Sequence, residues 1–205
     1  MVNNDPDVRG RLRLLFLPNY CISQAEKTIP AADLSEQIST AGMEAFGTGN
    51  MKFAINGALS IGTLDGANVE ILEEVGPENF FLFGLKAEEV EHLRLTGYNP
   101  VSFYESDPEL RRVIDQIASG AFSPGESGLF TPIVDALLRQ GDYFLVLADY
   151  RSYVDTQGKV DRLFVDKDEW TRKAILNTAN MGKFSSDRAV LEYAREIWGV
   201  QPLCK

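Results

Sequence analysis

The glycine-rich segment Thr40–Asn68, TAGMEAFGTGNMKFAINGALSIGTLDGAN, carries the clearest signals of the fold. The small residues of Gly47-Thr48-Gly49 predict a tight loop, because residues with little or no side chain let backbone N–H groups approach a ligand closely. After this loop the apolar residues recur at helical spacing, so we expect a helix that ends near Gly57. A strand over residues 58–64 and a turn at Asp65-Gly66 should follow, after which Asn68 is expected to cap a helix over residues 69–75. The order of loop, helix and strand is typical of α/β folds.

One basic residue, Lys52, lies in this stretch, on the predicted helix one turn from the loop. Unpaired amides at a helix start and the helix dipole both favour an anion. Pyridoxal phosphate carries its aldehyde and its phosphate arm on neighbouring ring carbons, so a lysine at this position could hold one group and the loop the other. The pattern leaves two alternatives open. Lys52 and Asn56 could simply form the wet stripe of an amphipathic helix. GTGNMK could also bind a nucleotide, although it lacks the third glycine of GxGxxG and the ending of a P-loop.

The composition favours one globular α/β domain. The chain has 205 residues, of which 44% are hydrophobic and 24% charged, as in folded soluble domains. Its net charge of −10 argues against nucleic acid and anionic membranes as partners. Cys21 and Cys204 lie far apart without metal-ligand spacing, so we expect reduced thiols in a cytoplasmic protein and no metal site. The single histidine, His92, lies in a charged helical stretch and is expected to face solvent.

Apolar runs elsewhere predict further strands, about four in total. The runs at 11–17 (RLRLLFL), 32–39, 58–64 and 80–83 (FFLF) alternate with helical segments, which predicts a parallel sheet built from crossover units. The first run changes from alternating to continuously apolar, as buried parallel strands do. Because ligands bind at the carboxyl ends of such strands, Tyr20, just beyond the first run, is a candidate site residue.

Helical segments dominate after Gly84. They are predicted at 87–95, 108–118, 129–140 and 148–164, followed by a helix capped by Asp166 and a last one opened by Ser186 or Asp187. We therefore divide the chain into residues 1–84, a βα half with the predicted sheet and the candidate anion-binding loop, and residues 85–205, a mostly helical region packed on it. Both are expected to form one structural domain. Trp170 and Trp198 are both expected in its core.

The run from Ile29 to Glu70, IPAADLSEQISTAGMEAFGTGNMKFAINGALSIGTLDGANVE, resembles the cofactor segment of the α-glucan phosphorylases, which act on glycogen, starch or maltodextrin. The similarity extends from about Asn3 to the end of DEWTRKAILNTANMGKFSSDRAVLEYAREIWGV. The resemblance implies a partial Rossmann-like parallel sheet from the C-terminal lobe of a two-lobed (GT-B-type) glycosyltransferase. It covers only the C-terminal part of a much longer enzyme, so we expect a fragment whose N-terminal portion is missing.

The resemblance also implies roles for residues of the cofactor site. Lys52 matches the catalytic lysine that forms the Schiff base with pyridoxal 5'-phosphate. That attack needs a neutral amine, and the apolar sequence neighbours of Lys52 are expected to bury it. Thr48 and Gly49 match residues that bind the cofactor phosphate, and Tyr20 matches a tyrosine packed against the cofactor.

A second group of residues matches the substrate site of the family. Glu44 matches a carboxylate that hydrogen-bonds a glucose hydroxyl, and Gly47 matches an amide donor to the same sugar. Phe46 stands where many members have a small serine that contacts the sugar through its backbone. The added ring is expected to change the local packing and the access of the sugar.

The reaction implied by the resemblance is phosphorolysis of a terminal α-1,4-linked glucose by phosphate, which gives glucose 1-phosphate. The implied full-length enzyme is an allosteric, cytoplasmic homodimer of glycogen catabolism. The isolated chain is expected to be inactive, because holding two phosphates together needs a dense positive environment that this loop supplies only in part. The alternative is a non-catalytic interaction or pseudo-enzyme domain that keeps the fold and binds a partner through an uncovered sheet.

Overall fold

The computed structural model describes residues 2–201 and 203. The chain divides into two compact units, Met1–Thr28 with Asn99–Tyr143, and Ile29–Tyr98 with Phe144–Lys205. The predicted boundary at residue 84 is not where these units separate, because segments far apart in the sequence pack within the same unit.

The second unit contains a parallel sheet of three strands. They are β1 (Leu34–Gln37), β2 (Leu59–Gly62) and β3 (Phe81–Leu82), in the spatial order β1-β2-β3. Leu34 pairs with Leu59, and Ile61 pairs with Phe81. All four residues of β2 are buried, as expected of the central strand of a covered parallel sheet. The predicted α/β class with a parallel sheet is confirmed, with three strands instead of about four.

The predicted first strand, 11–17, is wrong, since residues 11 and 12 form bends and residues 13–17 have no regular secondary structure. Leu14, Leu15 and Phe16 are 59%, 80% and 92% exposed. The segment lies in the first unit, whose described residues include no β-strand. A strand needs a neighbour to pair its N–H and C=O groups. At Leu14 the Asn3 side chain pairs both backbone groups instead of a neighbouring strand. It donates to Leu14 O at 2.8 Å and accepts from Leu14 N at 2.7 Å.

Ten α-helices occur in the part of the chain that the structure describes. In chain order they are α1 (Ile22–Thr28), α2 (Gly49–Ile55), α3 (Asn68–Val75), α4 (Ala87–Thr96), α5 (Pro100–Ser106), α6 (Pro108–Ala118), α7 (Thr131–Leu138), α8 (Val146–Phe164), α9 (Lys167–Ala179) and α10 (Ser186–Glu192). Helices α1 and α5–α7 belong to the first unit. The predicted helix 108–118 is confirmed at both ends. Helix α5 was not predicted; Asn99 caps it by accepting a hydrogen bond from Val101 N at 3.1 Å.

Three apolar clusters of buried residues lie in the described part of the second unit, and two of them surround β2 and α2. In the first, residues of β2 pack against α8 and α9; its buried members are Leu59, Ile61, Phe83, Val160 and Trp170. In the second, α2 and α3 meet around Ala54, Ile71, Val75, Phe80 and Met181. The predicted core position of Trp170 is therefore confirmed. The predicted core position of Trp198 is wrong, because its ring is exposed and is paired with the ring of Tyr193 at 5.9 Å.

The first turn of α9 carries a charged cluster around Glu169. The Asp166 side chain accepts from Glu169 N at 3.1 Å, which confirms the predicted cap. Two nitrogens of Arg172 donate to the Glu169 carboxylate, each at 2.7 Å, and Lys173 Nζ lies 3.5 Å from it. Chiefly through the hydrogen bonds from Arg172, these groups lower the pKa of Glu169 from 4.5 to about 2.

A pH dependence follows from this lowered pKa. Because protonation is harder in the folded state, Glu169 contributes stability fully above pH 4.5, and the contribution is lost as the pH falls toward about 2. We expect the stability of the wild-type chain to fall more steeply over this interval than that of Glu169→Gln. Denaturant unfolding at several pH values measures both slopes. Equal slopes for the two chains would contradict the assignment.

Candidate functional site

A buried carboxylate holds the loop that precedes α2. Asp65, which is only 5% exposed, accepts hydrogen bonds from Gly42 N at its Oδ1 and from Glu44 N at its Oδ2, both at 2.8 Å. Both oxygens of a buried carboxylate are thus bonded, as burial of such a group requires. The turn after β2 therefore fixes a loop that lies more than 20 residues earlier in the sequence.

A second contact joins the same loop and turn through backbone atoms. Ala67 N donates to Phe46 O at 2.8 Å. Gly66 has φ +51°, and a Cβ there would lie 2.7 Å from Phe46 O, so the close approach requires a glycine. The Phe46 ring is exposed, and the recorded hydrogen bonds of this residue are made by its backbone. These backbone contacts are therefore made with the phenylalanine ring in place.

The start of α2 presents a row of unused amides. The Thr48 side chain does not cap the helix. Within the described residues, the backbone N–H groups of Gly47, Thr48, Gly49 and Asn50 make no hydrogen bond to protein. A Cβ at Gly49 would meet nothing within 4 Å. The exposed part of this row, residues 47–49, fits an anion that can accept hydrogen bonds from backbone amides.

Lys52 lies one turn beyond these amides, and its backbone N–H donates to Thr48 O at 3.4 Å. Its side chain is exposed, so the burial expected from its apolar neighbours is wrong for this chain. The reason is helical geometry: Met51 and Ala54 pack into the core, and residue 52 therefore falls on the opposite side. Lys52 and Asn56 form the predicted solvent-exposed polar face of the helix. Asn56 Nδ2 donates to Lys52 O at 2.8 Å.

The predicted sugar residues lie on the same loop. Glu44 is exposed and its Oε1 accepts from Phe46 N at 3.3 Å. Gly47 lies beside it, since a Cβ at Gly47 would be 3.8 Å from Glu44 Cδ. The structure thus brings five of the predicted site residues into one exposed stretch of the second unit: Glu44, Gly47, Thr48, Gly49 and Lys52. Tyr20 is an exposed residue of the first unit.

Two buried asparagines of this region were missed as site residues. Asn50 Nδ2 donates to Asn68 Oδ1 at 2.9 Å, and Asn68 Nδ2 donates to Thr63 O at 3.0 Å. The predicted cap of α3 by Asn68 is wrong: α3 begins at Asn68 itself, after Ala67, without a side-chain cap. A signal for this arrangement is present in the sequence. Asn50 stands four residues before Ala54, on the apolar face of α2, where a polar side chain needs a buried partner.

Other features of the described residues lie outside this site. An apolar cavity of about 460 Å³, lined in part by Ile38, Phe83 and Tyr153, includes none of the predicted site residues. No group of three or more potential metal ligands and no helix able to cross a membrane occurs in the described part of the chain. The predicted free thiol of Cys21 and the predicted exposure of His92 are confirmed. Cys204 lies outside the described residues.

Comparison with known proteins decides the family. A family model for carbohydrate phosphorylases matches residues 1–200. The chain belongs to the carbohydrate phosphorylase family. This phosphorylase chain is 59% identical over 202 residues to the muscle and brain forms of glycogen phosphorylase from Mus musculus and to the muscle form from Homo sapiens. Each alignment covers 98% of the chain and 24% of the relative, so the phosphorylase chain spans about a quarter of the length of these relatives.

Proposed function

We propose that this chain is the cofactor-binding segment of an α-glucan phosphorylase. That enzyme uses phosphate to release a terminal α-1,4-linked glucose as glucose 1-phosphate. The observation that carries the proposal is that an exposed lysine, Lys52, lies one helical turn from four backbone amides without a protein partner. Membership of the phosphorylase family supports the same conclusion.

The residues present fit pyridoxal 5'-phosphate. Helical Cα–Cβ bonds tilt toward the helix start, so the Lys52 side chain leads back toward Thr48. Lys52 would bind the aldehyde carbon, and the amides of Thr48 and Gly49 would hold the phosphate. The role expected of Tyr20, which belongs to the first unit, stays a prediction. When bound, the cofactor supplies a phosphate group that exchanges a proton with the substrate phosphate.

Glu44 and Gly47 are proposed to bind the glucose unit that is released. The Glu44 carboxylate can accept a hydrogen bond from a sugar hydroxyl, and the unpaired N–H group of Gly47 can donate one. Both groups lie on the loop that Asp65 holds. Their position next to the start of α2 would place the sugar beside the cofactor phosphate.

We propose that phosphorolysis requires the N-terminal portion of a longer protein. Lys52 is the only basic residue between residues 40 and 68, and the site is open to solvent. Two phosphates held side by side need several cations and exclusion of water. The partners of the full-length protein are then α-1,4-glucan, phosphate and glucose 1-phosphate. By analogy with the family we expect a cytoplasmic homodimer under allosteric control.

Substitution of Lys52 tests cofactor binding directly. The chain is incubated with pyridoxal phosphate and reduced with borohydride, and the attached pyridoxyl group is located by mass spectrometry. We expect attachment at Lys52 in the wild type and none at that position in Lys52→Ala. Lys159→Ala, which removes another exposed lysine, should leave attachment at Lys52 unchanged. Attachment spread evenly over surface lysines would refute a specific site.

The second candidate is a non-catalytic interaction domain. It is favoured by the exposure of Leu14, Leu15 and Phe16, since clustered exposed apolar side chains are typical of interaction surfaces. Mixing the chain with the N-terminal portion and assaying glucose 1-phosphate release separates the two candidates. Release that disappears with Lys52→Ala supports the enzyme, whereas a stable complex without release supports the interaction domain.

A further inference from the structure

The turn after β2 touches both halves of the candidate site. We propose that the turn Asp65–Asn68 is its positioning element: Asp65 orients the sugar-binding segment 42–47, and Asn68 orients α2 and therefore Lys52. The assignment of the two halves rests on the proposed function. The two contacts themselves are recorded in this chain. Neither side chain is proposed to touch substrate or cofactor.

Asp65 is committed to the backbone of the sugar-binding segment. Its two oxygens accept from Gly42 N and Glu44 N, and no basic side chain forms an ion pair with it among the described residues. Charge-assisted hydrogen bonds to backbone amides are stronger than neutral ones. A buried carboxylate used in this way fixes the backbone on both sides of Met43. It therefore fixes the position from which the Glu44 side chain extends.

Asn68 connects the end of β2 to the start of α2. Met51 N donates to Asn50 Oδ1 at 2.9 Å, Asn50 donates to Asn68, and Asn68 donates to Thr63 O. Only one orientation of each amide satisfies this series, because a flipped Asn68 would turn its oxygen toward the carbonyl oxygen of Thr63. Asn50 and Asn68 are 4% and 2% exposed, so water cannot readily replace a lost bond. Lys52 follows Asn50 by two residues.

The effect of Asp65 on segment 42–47 and the effect of Asn68 on α2 can be tested separately, because the two side chains contact different segments. Asp65→Asn keeps the volume but places an NH₂ group where one oxygen accepted a backbone N–H. Asn68→Leu keeps a similar volume but removes both amide contacts. Each variant serves as the control for the other, since both alter a buried polar residue of the same turn.

Amide hydrogen exchange tests the positioning without any ligand. In Asp65→Asn we expect faster exchange, by about 10- to 100-fold, at Gly42 or Glu44, whichever of the two amides faces the new NH₂ group; this is the range that corresponds to one lost buried hydrogen bond. In Asn68→Leu we expect a similar increase at Met51 and in the following turn of α2, with Gly42 and Glu44 unchanged. Equal acceleration of both segments in either variant would show a turn that only contributes general stability.

Attachment of pyridoxal phosphate provides the second readout. We expect Asn68→Leu to weaken attachment at Lys52 about 10-fold or more, and Asp65→Asn to change it less than about 2-fold. The double variant Asn50→Leu with Asn68→Leu removes the buried Asn50 amide that Asn68→Leu leaves without its partner, so it should recover part of the thermal stability without recovering attachment. In it Met51 N and Thr63 O lose the hydrogen bonds that these two asparagines made. Recovery of attachment together with stability would overturn the positioning role.

The two proposals fail in different ways. A wild-type chain that shows no attachment specific to Lys52 contradicts cofactor binding, while the exchange pattern still decides whether the turn positions the two segments. A segment-specific exchange pattern supports the positioning role, and its absence in folded variants overturns it. Circular dichroism of each variant establishes that the chain is folded before either comparison is made.

Discussion

Replacing Trp170 with alanine is expected to lower the free energy of unfolding by about 3–5 kcal/mol. The side chain is buried against Leu59 and Ile61 of β2. Its ring also stacks on Phe81 at 6.4 Å and meets Phe164 edge-on at 5.0 Å. Removal of the indole leaves a cavity under the central strand, and the surrounding helices cannot close it fully.

Trp198→Ala is the matched control, because it removes the same side chain from a position that is 60% exposed. We expect it to cost about 1 kcal/mol or less, the value of one aromatic pair. Urea unfolding monitored by circular dichroism measures both variants. Similar losses for the two tryptophans would contradict the placement of Trp170 in the core. Loss of Trp170 should also abolish attachment of pyridoxal phosphate, since the site is built on the end of β2.

Replacing Gly62 with alanine is expected to cost about 2–3 kcal/mol, the upper range for overpacking of a buried site. A Cβ at this position would lie 2.7 Å from Asn68 Nδ2 and 2.8 Å from the backbone Gln37 O. Neither atom can move without cost. Gln37 O accepts from Thr63 N at 3.1 Å in the sheet, and Asn68 bridges to Asn50. The substitution therefore strains the sheet and the start of α2 together.

Gly158→Ala is the matched control, because it is expected to raise the free energy of unfolding instead of lowering it. Gly158 lies within α8, and a Cβ there would meet only a flexible arginine end, at 3.6 Å. Alanine in a helix is favoured over glycine by about 0.5–1 kcal/mol, so we expect a small stabilisation. Thermal unfolding of both variants gives the comparison. A neutral result for Gly62→Ala would show that the contact between Gly62 and Asn68 is not tight.

The sequence pattern correctly predicted those features that depend only on residues close together in the chain. Helix α6 was predicted at both ends, and the structure shows a local reason for its start: Asp107 precedes Pro108, and the Asp107 side chain accepts from Glu109 N and Leu110 N. The loop before α2 and the exposed stripe of Lys52 and Asn56 followed from glycine spacing and helical period. The sequence pattern could not assign roles to the site residues, because the position of Lys52 fits both a surface lysine and a cofactor lysine. The roles were assigned from the family resemblance.

Predictions failed where a segment depends on its neighbours. The run 11–17 has the composition of a buried strand. Composition, however, does not predict whether another strand lies next to it in the folded chain. Asn68 has the residue type of a helix cap, but its side chain is used by Asn50 and Thr63 O instead. Ile55 shares the apolar period of α2 and is nevertheless exposed, because α2 ends at this residue.

The order of residues alone was enough to predict the α/β class, the glycine loop before a helix and the lysine one turn inside that helix. These features depend on backbone freedom and residue spacing, which are properties of neighbouring residues in the chain. The folded chain was needed to show that Asp65 accepts from the amides of Gly42 and Glu44, and that Asn68 accepts from Asn50. Such contacts join residues 18 to 23 positions apart, and a buried polar group takes whichever partner the packed chain brings to it.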